Sequence, residues 1–568
     1  MTETVSLSTP LVLPCGQTLP NRIMKSALSE GLGTTRHAPD VRLERLYARW
    51  GAGDYGLMVT GNVMVDRRYL GEPGNVVLEN DIDLDAFQRW AKTAQDGGSP
   101  IWMQLNHPGR QANPITTDGP TVAPSAVKLD IPGIPTPREL TDTEIRDIIE
   151  RFAVSAGIAE VAGFDGVQIH GAHGYLISQF LSPLANTRSD RWGGSTANRA
   201  QFVLEIIRRV REAVGPGFAV GIKLNSADFQ RGGFSEEESR TVVEMIAAER
   251  IDLIEISGGS YESPAMMGRP AVSARTRARE AYFLDYAETI REVAADVPLA
   301  VTGGFRTHTG MAEAIASGSC DIVGLGRPTA LAPNAAQCVL ADTSATLPTT
   351  HRSVPLPRRL TGTAQVKALN GALDLQWHTD QLHTMGAGGD PDPHRPLWRT
   401  AITTVRRNGI DAFRSQRGHL GASDKKAVRK FRIERAVGRY VANPMVASLT
   451  RIGITTSFAT ELETIGRRTG RRRTVPVSAA FDETGAWVIS QHGTRSGWAN
   501  NINANQAVRI KQGRQWRSGT AEFVHDDDVA KRVRTFAPNP VFASLTAASF
   551  RALQSDPVSV RISFTGGQ

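Results

Sequence analysis

Apolar residues along the first 330 positions come in short runs separated by amphipathic stretches. Eight runs stand out: RIMKSAL (22–28), GLMVTGN (56–62), IWMQL (101–105), DGVQIHG (165–171), AVGIKLN (219–225), DLIEISG (252–258), PLAVTGG (298–304) and DIVGLGR (321–327). Each is too short for a helix and is followed by turn residues or helix-start signals, the pattern of a strand buried on both faces. Eight such strands alternating with helices predict a closed (β/α)8 barrel, a TIM barrel. Helix starts are marked between them. Thr141 with Glu144 and Ser235 with Glu238 have capping-box spacing, and Ser195 precedes RAQFVLEIIRRVREAV. The opening LVLPCGQTLPNR reads as a hairpin able to plug the barrel floor.

From about Leu347 the texture changes. HRSVPLPRR and GAGGDPDPHRP (386–396) are rich in turn residues and read as excursions leaving the barrel. A basic helical stretch, roughly Ala401–Val441, leads to alternating segments at 457–464, 473–481, 486–491, 507–512, 518–524 and 558–564. Short alternating strands joined by Gly-containing turns predict a small antiparallel β-barrel. A chain of 568 residues exceeds one core, and the pattern divides it into a barrel at 1–345, an extension and basic linker at 346–440, and the small β-domain at 441–568.

Composition narrows the class. With 40% hydrophobic and 21% charged residues the chain has ordinary globular character. Cys15, Cys320 and Cys338 are distant and odd in number, which suits neither a disulfide framework nor clustered metal ligands and points to a reducing cytoplasm. The N-terminal residues lack the pattern of an export signal, and no apolar run is long enough to span a bilayer. The net charge of +8 is concentrated in KKAVRKFRIER (425–435) and GRRTGRRRT (466–474), so an anionic partner is expected for the C-terminal third. Nucleic acid is the competing reading, disfavoured by sparse aromatic interleaving and the lack of a nucleic-acid motif.

In a (β/α)8 barrel, reactive groups lie at the C-terminal ends of the strands. Those ends carry Ser29, Gly61, Gln104, His170 with His173, Lys223, Gly303 with Gly304, and Gly326 with Arg327. Paired glycines let backbone N–H groups approach an anion and an arginine neutralises it, so the last two loops suit a phosphate; the alternative is that they only form tight turns. His170 and His173, followed by Tyr175, lack a third ligand at metal-site spacing and read as a hydrogen-bonding pair.

The stretch QIHGAHGYLISQFLSPLANTRSDRWGGSTANR (168–199), with NRIMKSALSEG (21–31), MQLNHPGRQ (103–111), GIKLNSADF (221–229), VTGGFR and VGLGRP, closely resembles the old yellow enzyme family of FMN-dependent ene-reductases over about residues 5–400. The resemblance implies that Gln104 and Lys223 meet the flavin's pyrimidine edge, with Ala27, Leu28, Ser29 and Gly61 against the ring. Gly303, Gly304, Gly326 and Arg327 would hold the FMN phosphate. His170 and His173 would bind the carbonyl oxygen of an α,β-unsaturated substrate, and Tyr175 would protonate its α-carbon; a merely packed phenol is the alternative for Tyr175. Lys223 stands where many relatives have arginine, Ala27 where many have proline, and Ser29 where cysteine or threonine often tunes the flavin.

In the last third, ELETIGRRTGRRRTVPVSAAF (461–481) reads as two strands around an arginine-dense turn suited to phosphate or polycarboxylate. With AWVISQHGTRSGWANNINANQAVRI (486–510) it resembles the deazaflavin-dependent nitroreductases, split β-barrels that bind coenzyme F-420, over about residues 445–565. That resemblance implies that Arg467, Arg468, Thr469 and Arg473 meet the phosphate and glutamyl tail. Val475 and Pro476 would lie near the deazaflavin ring, and Ser490, Gln491, His492 and Gly493 would line the opposite wall. Gln491 stands where relatives often have lysine, and Trp498 has core packing as its alternative. Taken together, the two resemblances imply an enzyme, a homo-oligomer, that reduces activated C=C bonds and exchanges hydride between FMN and F-420. The alternative is an NAD(P)H-dependent ene-reductase whose last domain acts separately on quinones or nitro compounds, or only binds.

Overall fold

A computed structural model describes most of residues 5–258, 283–350 and 364–407, and in the last third most of 460–490, 497–524 and 558–565. The chain separates into two compact units, Met1–His419 and Leu420–Gln568; the basic run 425–435 lies outside the described residues.

All eight apolar runs of the first unit are strands: β1 (Ile23–Lys25), β2 (Leu57–Val59), β3 (Ile101–Asn106), β4 (Gly166–Gly171), β5 (Ala219–Asn225), β6 (Leu253–Ser257), β7 (Leu299–Thr302) and β8 (Ile322–Leu325). Neighbours pair in parallel in sequence order, and β8 returns to β1 with Leu325 opposite Lys25, so the sheet closes on itself. Helices α1 (Val41–Gly51), α2 (Leu84–Gln95), α3 (Asp142–Val161), α4 (Thr196–Ala213), α5 (Glu236–Ala247), α6 (Leu284–Ile290), α7 (His308–Ala316) and α8 (Ala335–Ala341) follow the strands in turn. Both expected capping boxes are formed, at Thr141 with Glu144 and at Ser235 with Glu238, satisfying amides that the first turn of a helix leaves without partners. Ser195 caps α4 by accepting from the Asn198 N–H.

The predicted hairpin is present, Leu11 pairing with Leu19. Its Leu13 and Leu19 pack with Met24, Leu57, Val59, Trp102, Ala219 and Leu253 into a separate apolar cluster at the barrel's lower end. Trp102 lies against Gly166 and Gly221, where any Cβ would collide with the indole. Glycine is needed there because the ring fills the interior.

One element of this unit departs from the sequence pattern. Residues Ala364–Gly386 form a long helix, α9, followed by α10 (Leu397–Val405). Rather than leaving the barrel, the extension turns back onto it: Leu382 and Met385 join the same core as Leu43 and Leu46 of α1, and the Trp377 indole N–H donates to the Arg395 carbonyl at 2.9 Å. The turn-rich sequence at 386–396 reverses the chain between two packed helices.

The second unit is a seven-stranded antiparallel sheet of β9 (Thr460–Ile465), β10 (Arg472–Val477), β11 (Ala479–Phe481), β12 (Gly485–Ser490), β13 (Ala507–Gln512), β14 (Gln515–Val524) and β15 (Val558–Phe564), with helix α11 (Gly497–Ala504). In space the order is β10-β9-β13-β14-β15-β12-β11. The two outermost strands, β10 and β11, are separated in the chain by Ser478 alone. Since consecutive Cα atoms lie about 3.8 Å apart, opposite edges of the sheet must meet, and the sheet is rolled into a half barrel. Leu462, Val488, Ile510, Val560 and Ile562 fill it.

Candidate active site

The strand alternation that points Gln168 into the barrel also points His170 there, two residues on. Gln168 is opposite Gln104 on β3, His170 opposite Lys223 on β5, and Lys223 opposite Glu255 on β6. These side chains form a continuous buried chain of polar contacts. The Gln104 amide donates to Gln168 Oε1 at 2.7 Å, the Gln168 amide donates to Glu255 Oε2 at 2.7 Å, and Lys223 Nζ reaches Glu255 Oε1 at 2.8 Å. Thr302 on β7 donates to Glu255 Oε1 at 2.6 Å, and Ser26 just beyond β1 lies 2.7 Å from Thr302 Oγ1. Gln104 and Lys223 are thus linked through Gln168 and Glu255.

Sequence reasoning missed Gln168, Glu255, Thr302 and Ser26. The signal was there: a carboxylate inside an apolar run such as DLIEISG must be paired wherever it is buried, and Glu255 is fully buried.

The histidines sit above this chain. The His170 and His173 rings meet edge to face at 5.1 Å, and the His170 and Tyr175 rings at 4.9 Å. His170 Nδ1 accepts the Ala172 N–H at 3.2 Å, which leaves its proton on Nε2 as a donor. His173 Nε2 is 2.9 Å from Ser257 Oγ. Burial, reinforced by His173 and Lys223, holds His170 well below the usual imidazole value; burial and Lys223 hold His173 at about 3. Both are therefore neutral hydrogen-bonding groups near neutral pH. His173 adopts φ +62 and Gly174 φ +75, a tight turn that lets two histidines three apart face one another. Tyr175 is buried, with Asn62 Nδ2 3.4 Å from its hydroxyl.

Gly303 (φ +124) and Gly304 (φ +104) follow β7 in backbone conformations that a Cβ strongly disfavours. Gly326 lies beside Leu28 of the neighbouring strand end, and Arg327 reaches Asp374 of α9 at 3.0 Å. At Gly61 a Cβ would overlap the Glu30 carboxylate and the Leu28 carbonyl; its N–H donates to Glu30 at 2.9 Å. Ala27 packs toward the floor cluster. The Ser29 hydroxyl donates to the Glu72 carboxylate, whose pKa burial raises.

In the second unit Arg467 and Arg473 flank the turn between β9 and β10, both exposed. The turn closes with the Gly470 N–H on the Gly466 carbonyl at 2.8 Å. Asn501, in the NINAN element of α11, accepts the Arg467 N–H at 3.3 Å and donates to Thr464 Oγ1 at 3.0 Å, so the helix braces the turn. Val475 is opposite Leu462, and Pro476 occupies the outermost strand, where its missing N–H does no harm. Ser490 is buried at the end of β12. Trp498 packs against the half-barrel core. Arg468, Thr469, Gln491, His492 and Gly493 lie outside the described residues.

A family model described as the NADH:flavin oxidoreductase / NADH oxidase family matches residues 6–342. The chain belongs to this flavin oxidoreductase family. The flavin oxidoreductase carries a further match at residues 438–552, to the family of quinone reductases dependent on reduced coenzyme F-420. It is 41% identical over 349 residues to the NADH-dependent flavin oxidoreductase iliE of Hypocrea jecorina, covering 57% of this chain and 86% of that protein. The NADH-dependent flavin oxidoreductase iccE of Talaromyces variabilis is 37% identical over 417 residues, 67% of this chain and 99% of that one. Among solved structures, a 2-naphthoyl-CoA reductase complex superposes with a TM-score of 0.56 at 26% identity, over 60% of this chain and 53% of its own. The old yellow enzyme homologue of Zymomonas mobilis superposes at 0.51 and 24% identity, over 60% and 94%, and shows the fold alone.

Proposed function

We propose that the first unit binds FMN across the barrel mouth and reduces the C=C bond of α,β-unsaturated carbonyl compounds. The single observation that carries this reading is the neutral, edge-to-face His170–His173 pair above the buried Gln104–Gln168–Glu255–Lys223 chain.

The residues present suit the flavin. Gln104 and Lys223 offer an amide and an ammonium to a heteroaromatic edge, and Ala27, Leu28, Ser29 and Gly61 would lie against the ring, with Gly61 pressed so closely on Leu28 and Glu30 that no side chain fits there. Gly303, Gly304, Gly326 and Arg327 would cradle the phosphate. When bound, FMN supplies hydride transfer between a reduced donor and the β-carbon of the alkene. His170 Nε2–H and an imidazole N–H of His173 donate to the substrate carbonyl oxygen, holding the negative charge that develops there. Tyr175 gives its hydroxyl proton to the α-carbon from the opposite face.

The reading extends to the second unit, where Arg467, Arg468, Thr469 and Arg473 would grip the phosphate and glutamyl tail of coenzyme F-420. Val475 and Pro476 would flank its ring, facing Ser490, Gln491, His492 and Gly493. Held there, reduced F-420 would be the source of hydride for the flavin site. Covalent fusion raises the effective concentration of one redox partner for the other. A second reading is favoured by the names of the relatives: NADH-dependent enzymes point to a nicotinamide donor, with the second unit reducing quinones separately.

Stopped-flow bleaching of the flavin separates them. Rapid reduction by reduced F-420 supports the first. Reduction by NADH or NADPH with none by reduced F-420 eliminates it, and a colourless protein that takes up no FMN ends both.

A further inference from the structure

The first unit has a second concave feature apart from the histidine pair. Beside the mouth, α9, α10 and the loops after β1 and β2 enclose a cleft of about 800 Å³, within the range of about 300–1,000 Å³ usual for small-molecule sites. Four guanidinium groups line it, those of Arg42, Arg395, Arg406 and Arg407, against one lining carboxylate among the described residues, Asp380. Asp380 is buried and holds two of them in place, Arg395 Nε at 2.9 Å and Arg407 Nη2 at 2.5 Å; Asp40 pairs with Arg42 at 2.9 Å. His383 also lines the cleft and is held at about 4, chiefly by burial and then by Arg407, so it adds no charge near neutrality. Gly31, Gly33, Gly74 and Gly389 also line it, with the small hydroxyl side chains of Thr34, Thr35 and Thr403 among them.

The cleft adjoins the proposed flavin wall. Gly31 is two residues from Ser29, hence within about 8 Å along the backbone. His383 Nε2 lies 2.8 Å from the Glu30 carbonyl, while the Glu30 carboxylate accepts the Gly61 N–H. Pre-placed arginine forks around a cleft also lined by glycines and hydroxyl side chains are the chemistry that recognises phosphate. Donors of hydride to a flavin, whether dihydronicotinamide dinucleotides or a reduced deazaflavin that has left the second unit, carry phosphate on a tail, whereas the α,β-unsaturated carbonyl group itself is uncharged.

Resting on that proposed ene-reductase reading, we infer that this cleft is an anion site holding the phosphate-bearing tail of the hydride donor while its reactive ring lies over the flavin. Nothing in the chemistry of the alkene calls for four arginines at this place; a polyanionic tail does.

The test compares the full-length wild type with Arg395→Gln/Arg406→Gln and with the charge-keeping Arg395→Lys/Arg406→Lys, each checked for wild-type melting temperature. In stopped flow, the half-saturating concentration for flavin bleaching by NADH, NADPH or reduced F-420 is expected to rise by roughly tenfold or more in the glutamine variant, the scale of one lost charge-assisted hydrogen bond. The lysine variant is expected to keep most of the wild-type affinity. Bleaching by 1-benzyl-1,4-dihydronicotinamide, which has no anionic tail, stays at the wild-type rate. The donor whose affinity falls identifies the source of the tail. Equal behaviour of wild type and glutamine variant with every donor, or an equal slowing of the tail-less donor, overturns the proposal. Calorimetric titration with inorganic pyrophosphate reads the cleft even if no flavin binds: equal affinity in wild type and glutamine variant rules out the anion site, and a colourless protein that still shows a difference rules out only the ene-reductase reading.

Discussion

Lys223 and Glu255 form an ion pair of 2.8 Å on adjacent barrel strands, with side-chain exposures of 4% and 0%. Removing one partner of such a pair leaves an uncompensated charge in the interior. Glu255→Gln is expected to destabilise the first unit by about 3–5 kcal/mol, and Lys223→Met/Glu255→Met to recover much of that loss. Urea unfolding of the three proteins checks this; a loss below about 1 kcal/mol for the single change would mean that water already reaches the pair.

Buried neutral histidines make stability depend on acid. Burial holds His107 and His383 at about 4 and His173 at about 3, while an unfolded imidazole titrates near 6.5. Between those values the unfolded chain binds protons that the folded chain refuses, so stability is full above about pH 7 and declines as pH falls toward 4. Each such histidine contributes at most about 1.4 kcal/mol per pH unit. His107→Asn is expected to flatten the slope between pH 7 and 5, and an unchanged slope would place the acid sensitivity elsewhere.

Tyr175 is proposed to deliver a proton only in the half-reaction with the alkene. In Tyr175→Phe, flavin reoxidation by 2-cyclohexenone should slow about 10²–10⁴-fold, the usual range for a lost general acid. Flavin reduction by the donor should keep its wild-type rate. A phenylalanine variant reoxidised at full speed would make Tyr175 a packing residue.

Gly304 holds φ +104, where alanine pays backbone strain of about 1–3 kcal/mol. Gly304→Ala is expected to fold yet retain less FMN after gel filtration, with its flavin restored by excess cofactor. Full flavin content in this variant would move the phosphate away from the loop after β7.

Most of the fold was legible because strand length and apolar runs answer directly to burial: each of the eight runs centres on a barrel strand. Thr141 and Ser235 announced their helices because a cap is a local interaction. Helix α9 escaped notice since its partner, α1, lies more than 300 residues earlier, and its packing is set by tertiary contact rather than by neighbours in the chain. The same holds at the site. His170, His173 and Gln104 sit at strand ends where barrel chemistry is sought, whereas Glu255 and Thr302 matter through partners on other strands. The arginine cleft joins residues near position 40 to others near 400, a juxtaposition no local pattern encodes.

Trp102, wedged against Gly166 and Gly221 above the N-terminal hairpin, makes the lower half of the barrel solid. Among the described residues, whatever reacts at the mouth must also enter and leave there. Donor and acceptor must then take turns, one departing before the other arrives, and double-reciprocal plots at varied concentrations of each should run parallel.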